Sequence, residues 1–508
     1  MLNDISANFS GNLDMQEKGN YSWDSFFSVN DHYVKVFPLN DESDKVARFN
    51  RGYPAIQKND GSKVSRWIYG FEENGDKIAF LLKGYTSTAF IPASIDLRAA
   101  HFYAPIIVKG NAHLDISKFY SIEFRGGIVD ILHPPSSAIL YSQSVEKCDK
   151  NEYKNVRKIQ FQEDDYFSRS FTIEVNSEVV EVLYSIDMNG LRHELHKIPD
   201  LRQGICSFMR FEFTEGKSLF DIEKYYDYAM SLFQFCTMRG NVGFDIRLYG
   251  KSSEVVGDSL HPMKVKFLDG YVDYADTELS TRNVFTLDCF GENLPNLFKV
   301  LVEEQSKPEL RLLPRRNSEF GRHYHSDVVD MYAALELEYL LLSESEILST
   351  NKSSLSNTDS SNELTKLKKA VICFVNQSNY SDDAKNRAKS LIGKLDVLKN
   401  EKPKFTDKVC AILNIFDEQL FCDTRSYRLQ DLYGYVGAFV NFEFIRALKK
   451  FVEMRDSAAH SRMSWNNGTG IFPHLMILVY LSILYRAGYT VEGSKSILGL
   501  GDSSLMTE

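Results

Sequence analysis

The residues best equipped for chemistry stand near the C-terminus, where Arg455-Asp456-Ser457-Ala458-Ala459-His460 places an arginine and a histidine with four residues between them. A guanidinium holds phosphate oxygens in a fixed fork, and an imidazole moves protons near neutral pH. The pair closes a segment that begins at Asn441, in which Phe444, Leu448, Phe451, Val452, Arg455 and Ala459 follow helical spacing. Arg455 therefore continues an apolar stripe. A guanidinium there must find an anion, a carboxylate or a partner surface, because burying it unpaired is costly. His460 comes five positions later, ~140° around an ideal helix, and points off the stripe. Asp456 precedes His460 by four and shares its face, placed to orient the ring and raise its basicity.

The elements that would position this pair are helical. Helices are expected over Ser326 to Ser343, Glu363 to Asn376, Asp382 to Lys399, Phe405 to Gln419, Asn441 to about Arg462, and Phe472 to Ala487. Residues 343–362 between the first two are rich in Ser and Asn and read as a flexible loop.

The N-terminal part has a different period. Residues 78–82, 120–125, 128–132, 170–175, 179–183 and 207–213 have strand character, with turn signals at Asn59-Asp60-Gly61, Asn74-Gly75-Asp76, Gly126-Gly127 and Pro134-Pro135. A β-sandwich or barrel is the expected arrangement. A helix capped by Ser218, with Asp221 in its first turn, runs to about Phe235. Strands return at 242–249, 263–268 and 284–290, followed by a short helix near 294–303. The expected fold class is α+β multidomain: a β-rich module over 1–320, with a candidate internal break near 215, followed by an all-α bundle over 321–508.

Composition narrows the function. At 508 residues, two or three domains are expected. The net charge of −10 excludes a general polyanion binder, so any nucleic-acid contact must be a local basic cleft. Seven cysteines, none in a CxxC, fit free thiols in a reducing cytoplasm. The first residues show no basic segment followed by an apolar core, and the run Ile471 to Leu484 is too short to span a bilayer. A soluble cytoplasmic protein with no membrane partner is expected.

An Arg, an adjacent polar residue, three variable residues and a His, set late in the penultimate helix of a helical domain, resembles the HEPN nuclease superfamily. The wider layout is similar to ApeA-type anti-phage defence proteins. It carries a β-rich part ending in Tyr225-Tyr226-Asp227-Tyr228-Ala229-Met230, Phe233-Gln234-Phe235-Cys236-Thr237 and Val242-Gly243-Phe244-Asp245-Ile246-Arg247-Leu248, then the helical part with Arg455 and His460. The resemblance implies a HEPN-like bundle, Arg455 and His460 as catalytic residues with Asp456 in support, and a site assembled by a homodimer. It further implies an RNA substrate, with tRNA among the candidates, a phage-derived trigger, and growth arrest by abortive infection. Asp456 departs from the Asn commonest at that position and sets a negative charge beside the phosphate site.

The chemistry of such a pair needs no metal or other cofactor. RNA carries its own nucleophile, the 2′-OH; the imidazole takes or returns a proton, and the guanidinium holds the non-bridging oxygens as charge builds. The products would be a 2′,3′-cyclic phosphate and a 5′-hydroxyl. On one helix Arg455 and His460 diverge, so two antiparallel copies packed through the stripe are expected to form the cleft. The β-rich module is expected to restrain the nuclease.

Arg311, Arg315, Arg316, Arg322, His323 and His325 form a second basic cluster, which either faces solvent or guides RNA; Arg462 follows His460 closely enough to contact substrate. His193-Glu194-Leu195-His196 has no third ligand at a supporting spacing, so no metal is expected. The chain lacks GxxxxGK[ST], GxGxxG and GxSxG, which disfavours an ATPase, a dinucleotide enzyme and an α/β-hydrolase. The competing readings are a non-catalytic RNA-binding or dimerisation protein with a HEPN-like bundle, which would tolerate loss of His460, and a ligand-binding protein centred on the β-rich half.

Overall fold

The computed structural model describes residues 6–15, 21–30, 33–38, 65–72, 74–83, 100–103, 106–135, 139–148, 152–161, 168–187, 206–240, 242–252, 259–267, 284–303, 312–313, 325–344, 366–373, 381, 384–387, 390, 403–416, 425–426, 441–459 and 469–501. The chain forms two compact units, residues 1–303 with 315–317, and 304–314 with 318–508.

The first unit is built on strands β1 (Ser6–Met15), β2 (Tyr21–Asn30), β3 (Tyr33–Pro38), β4 (Ser65–Glu72), β5 (Lys77–Lys83), β6 (Ala100–Tyr103), β7 (Ile106–Gly110), β8 (Lys118–Arg125), β9 (Ile139–Cys148), β10 (Glu152–Phe161), β11 (Ser168–Val175), β12 (Glu178–Asp187), β13 (Cys206–Ser218), β14 (Asp245–Lys251) and β15 (Leu260–Phe267). Thirteen of them join one antiparallel sheet in the order β11-β12-β13-β8-β14-β15-β7-β5-β4-β1-β2-β3-β6, and β9 pairs with β10 alone. The strands form one continuous antiparallel sheet, and its end strands β11 and β6 do not pair with each other among the described residues. β13 runs across residue 215, with a register shift between Glu212 and Lys217, so the segments on either side share this sheet.

Helices α2 (Ile222–Thr237) and α3 (Leu294–Glu303) cover one face of the sheet. Ser218 and Asp221 form a capping box at the 3₁₀ turn that leads into α2, as the sequence pattern implies. An aromatic core seals the layers. Phe124 meets Phe233 at 6.3 Å, Phe119 meets Tyr225 at 6.1 Å, and Phe211 meets Phe298 at 5.8 Å between ring centroids. The first two are edge-on and the third is tilted, and such contacts add to the burial of large apolar surfaces.

Two expected strands are helical instead. Gly127–Leu132 is a short helix, α1. Gly126, at φ 124°, ends β8, and the Asp130 carboxylate accepts a hydrogen bond from the Ser207 backbone at 2.6 Å, tying the turn to β13. Residues 284–290 lead into a 3₁₀ helix, Leu287–Asn293, because Phe285 and Phe290 pack against Phe235 of α2. Short apolar runs fit either period, and packing decides between them.

The second unit is mostly helical: α4 (His325–Glu344), α5 (Phe405–Phe416), α6 (Asn441–Ala459), α7 (Phe472–Arg486) and α8 (Val491–Ile497). A two-residue ladder, Arg425–Ser426 with Leu500–Gly501, breaks the expected all-α pattern. Residues 366–373 and 384–387 are also helical. α4 packs against α5, α6 and α7, and so forms the spine of this unit. Of the expected loop 343–362, residues 343–344 close α4 and 345–362 lie outside the described residues. Among the described residues, no helix is long and apolar enough to cross a membrane.

Candidate functional site

The amphipathic pattern of α6 is realised within the chain. Phe444, Leu448 and Phe451 are at most 1% exposed, while Glu443, Ile445, Arg446, Lys449, Lys450 and Glu453 face solvent. The apolar stripe is therefore occupied by its own α4 and α5 neighbours. Further along the stripe Val452 and Arg455 are half-buried, and the Ala459 side chain lies outside the described residues.

Arg455 lies half-buried at the end of the stripe, its guanidinium carbon 4.5 Å from the centre of the Tyr332 ring on α4. Tyr332 stacks on Phe405 of α5 at 3.9 Å and 13°, and Phe405 lies 6.2 Å from Phe451 of α6. Three helices thus contribute rings to one column, with the arginine at its end. A cation over an aromatic face gains electrostatic attraction and still presents its in-plane N–H groups elsewhere.

The same unit carries a buried ion pair. Glu338 of α4, 1% exposed, accepts hydrogen bonds from Arg486 Nε at 2.9 Å and Nη2 at 2.6 Å, locking α4 to α7. Lys408 of α5 meets Glu336 of α4 at 2.5 Å. These contacts fix the spine against which Arg455 rests.

Of the candidate catalytic and RNA-binding residues, Arg455 is the one whose side chain is described. Asp456 lies on the last turn of α6 by its backbone. His460, Arg462, Arg315, Arg316, Arg322 and the His193/His196 pair lie outside the described residues. Among the described residues, no group of three His, Cys, Asp or Glu side chains is placed to hold a metal ion.

Sequence reasoning missed a charged network on the sheet, on the face opposite the α2 helix. Glu123 of β8 is fully buried and accepts hydrogen bonds from Arg125, from Arg210 Nε at 2.9 Å, and from Tyr249 at 3.1 Å. Arg125 also donates to Asp187 at 2.8 Å and to Cys206 Sγ at 3.3 Å. Phe208 lies between the two guanidinium groups, 5.2 Å from Arg125 and 4.8 Å from Arg210. Burial works against the charge of Arg125, but its bonds to Glu123 and Asp187 outweigh that and hold its pKa above the arginine norm. Burial pushes the Tyr249 hydroxyl up, and the Glu123 carboxylate adds to the rise. Burial likewise raises the Cys206 thiol, which stays protonated at neutral pH. The signal in the sequence was the period-two charge of Glu123/Arg125 and Arg210/Glu212, visible only once register aligns the strands.

Compared with protein-family models, curated proteins and solved structures, the chain matches none of them.

Proposed function

We propose that this chain is a metal-independent endoribonuclease of the HEPN kind, with Arg455 and His460 as its catalytic residues. The observation that carries the reading is the Arg455-to-His460 spacing at the end of α6, together with a fixed setting for the arginine. Tyr332 lies against the guanidinium and fixes its setting, and the guanidinium is the group that would grip the phosphate as charge develops. His460 transfers the proton of the 2′-OH or supplies one to the 5′-oxygen, with Asp456 orienting the ring. Deoxyribose offers no nucleophile, so DNA is spared.

Because α6 spends its apolar stripe inside the chain, a homodimeric cleft would be made by its solvent-facing side and its C-terminal end. Phage infection as the trigger, abortive arrest as the outcome, tRNA as a substrate and a cytoplasmic setting complete the reading. The β-rich unit is assigned the restraint of the nuclease until that trigger arrives.

The test uses purified wild type and His460→Ala with total tRNA and a matched DNA, in EDTA. RNA cut by wild type alone, with DNA intact, is the expected result. Equal cutting by both proteins would place the centre elsewhere. RNA binding that survives His460→Ala without any cutting by wild type would favour the non-catalytic reading, to which the extra negative charge of Asp456 is better suited.

A further inference from the structure

The large sheet ends on one side at β6, four residues long, and on the other at β11, eight residues long. β11 is held along one edge only. It pairs with β12 from Ser168–Ser185 to Val175–Glu178 without a register shift, through a tight turn at Asn176 and Ser177, both at positive φ. Among the described residues its other edge pairs with no strand, and the β9–β10 ribbon joins only itself. An unpaired edge presents a row of backbone N–H and C=O groups, ready to accept a further strand. Natural edges are blunted by shortness, proline, bulges or charge. β11 has none of the first three. Its charges, Arg169 and Glu174, stand near its ends, and Arg169 already meets Asp288 at 3.3 Å.

The side chains of β11 decide which strand fits that edge. Period two puts Arg169, Phe171, Ile173 and Val175 on the face that α3 covers, and Ser168, Ser170, Thr172 and Glu174 on the opposite, exposed face. Phe171 touches Phe298 of α3 and Tyr184 of β12, at 6.3 and 6.4 Å between ring centroids, yet stays half-buried. A second β11 laid antiparallel, with a two-fold axis at Thr172, meets the first face for face. Phe171 then stands opposite the partner's Ile173, which extends its cover, and Thr172 stands opposite the partner's Thr172. Aromatic–β-branched and Thr–Thr pairs stabilise a sheet when directly opposite. Glu174 meets the partner's Ser170 and Arg169 meets the partner's Val175, so no like charges face each other.

We propose that β11 is the edge through which two copies of this chain associate, their sheets joined across a two-fold axis at Thr172. The contact is isologous and closes on itself, so it gives a dimer and not a fibre. Main-chain hydrogen bonds supply its strength, and the alternating rows of side chains fix its register. The contact belongs to the first unit and does not depend on any cutting by the second. One consequence does rest on the nuclease reading: a dimer held here keeps a second helical unit at high effective concentration for the cleft of Arg455 and His460.

The experiment is light scattering of the full-length chain at micromolar concentration, wild type beside Thr172→Lys, followed by disulfide trapping of Thr172→Cys. Thr172 is exposed, so the lysine leaves the fold intact, as circular dichroism should show, while setting two like charges opposite each other in the dimer. Wild type should give twice the 58.2 kDa of one chain, and Thr172→Lys the mass of one chain. Under mild oxidation Thr172→Cys should form a disulfide between copies at position 172, read by mass spectrometry, because opposite Cβ atoms lie about 4.5–5.5 Å apart. Ser170→Cys, which faces a glutamate, should form none at position 170. A dimer that survives Thr172→Lys would overturn the proposal and leave a pairing through the second unit standing. A monomeric wild type would overturn both. A dimer with no link at position 172, or with an equal link at position 170, would overturn the β11 contact alone.

Discussion

Arg455 and Tyr332 together account for a cation at the end of an apolar stripe: the ring accepts the guanidinium at 4.5 Å from its centre. Arg455→Met keeps the length of the side chain and most of its packing. Its urea midpoint should correspond to a change of about 1 kcal/mol or less, while RNA cleavage should be lost. Arg455→Lys keeps the charge but not the fork, and cleavage should fall by about tenfold or more with little change in stability. A lysine variant as fast as wild type would show that only charge is needed. The buried Glu338–Arg486 pair gives a prediction of the opposite kind. Glu338→Ala removes the buried carboxylate that accepts two hydrogen bonds from Arg486 and should cost about 1.5–3 kcal/mol in denaturant unfolding. Arg455 itself was legible in the sequence because helical spacing marks its face. Tyr332 was not, because the two stand 123 positions apart and no local pattern reports a contact between helices.

At the scale of elements, the best-read parts were those with a long, consistent period. The expected short helix near 294–303 appears as α3, Leu294–Glu303, and the amphipathic stretch from Asn441 appears as α6. The segments 128–132 and 284–290 misled because each is brief and apolar, and neighbours set their conformation: Ser207 on β13 for the first, Phe235 on α2 for the second. Glu178, at the start of β12, shows how elements are joined. It makes ion pairs with Lys217 of β13 and Lys224 of α2 and accepts a hydrogen bond from Tyr225 at 2.5 Å. Burial alone would raise its pKa, but these partners lower it from 4.5 to about 2. The sign follows from that depression: the stabilisation is complete above about pH 4.5 and is lost as pH falls towards 2. Wild type should therefore unfold later than Glu178→Gln at neutral pH, and the gap should close between those two values. A gap constant across that range would contradict the assignment.

At the scale of the molecule, a β-rich unit and a mostly helical one share a chain, and the change from period two to helical spacing made that contrast legible. The single thirteen-stranded sheet was not legible, because strand order and register are set by pairings between distant segments. If the β-rich unit restrains the nuclease, a chain lacking residues 1–320 should be more toxic in cells than the intact protein, and equal toxicity would count against restraint. If the cleft needs two copies, light scattering at micromolar concentration should give twice the 58.2 kDa mass of one chain. The central claim is tested most directly by the ends of the RNA fragments produced in EDTA by wild type, Arg455→Ala and His460→Ala. Fragments from wild type alone, with 2′,3′-cyclic phosphate and 5′-hydroxyl ends, are the predicted result. Fragments with 5′-phosphate ends, or identical fragments from all three proteins, would contradict it.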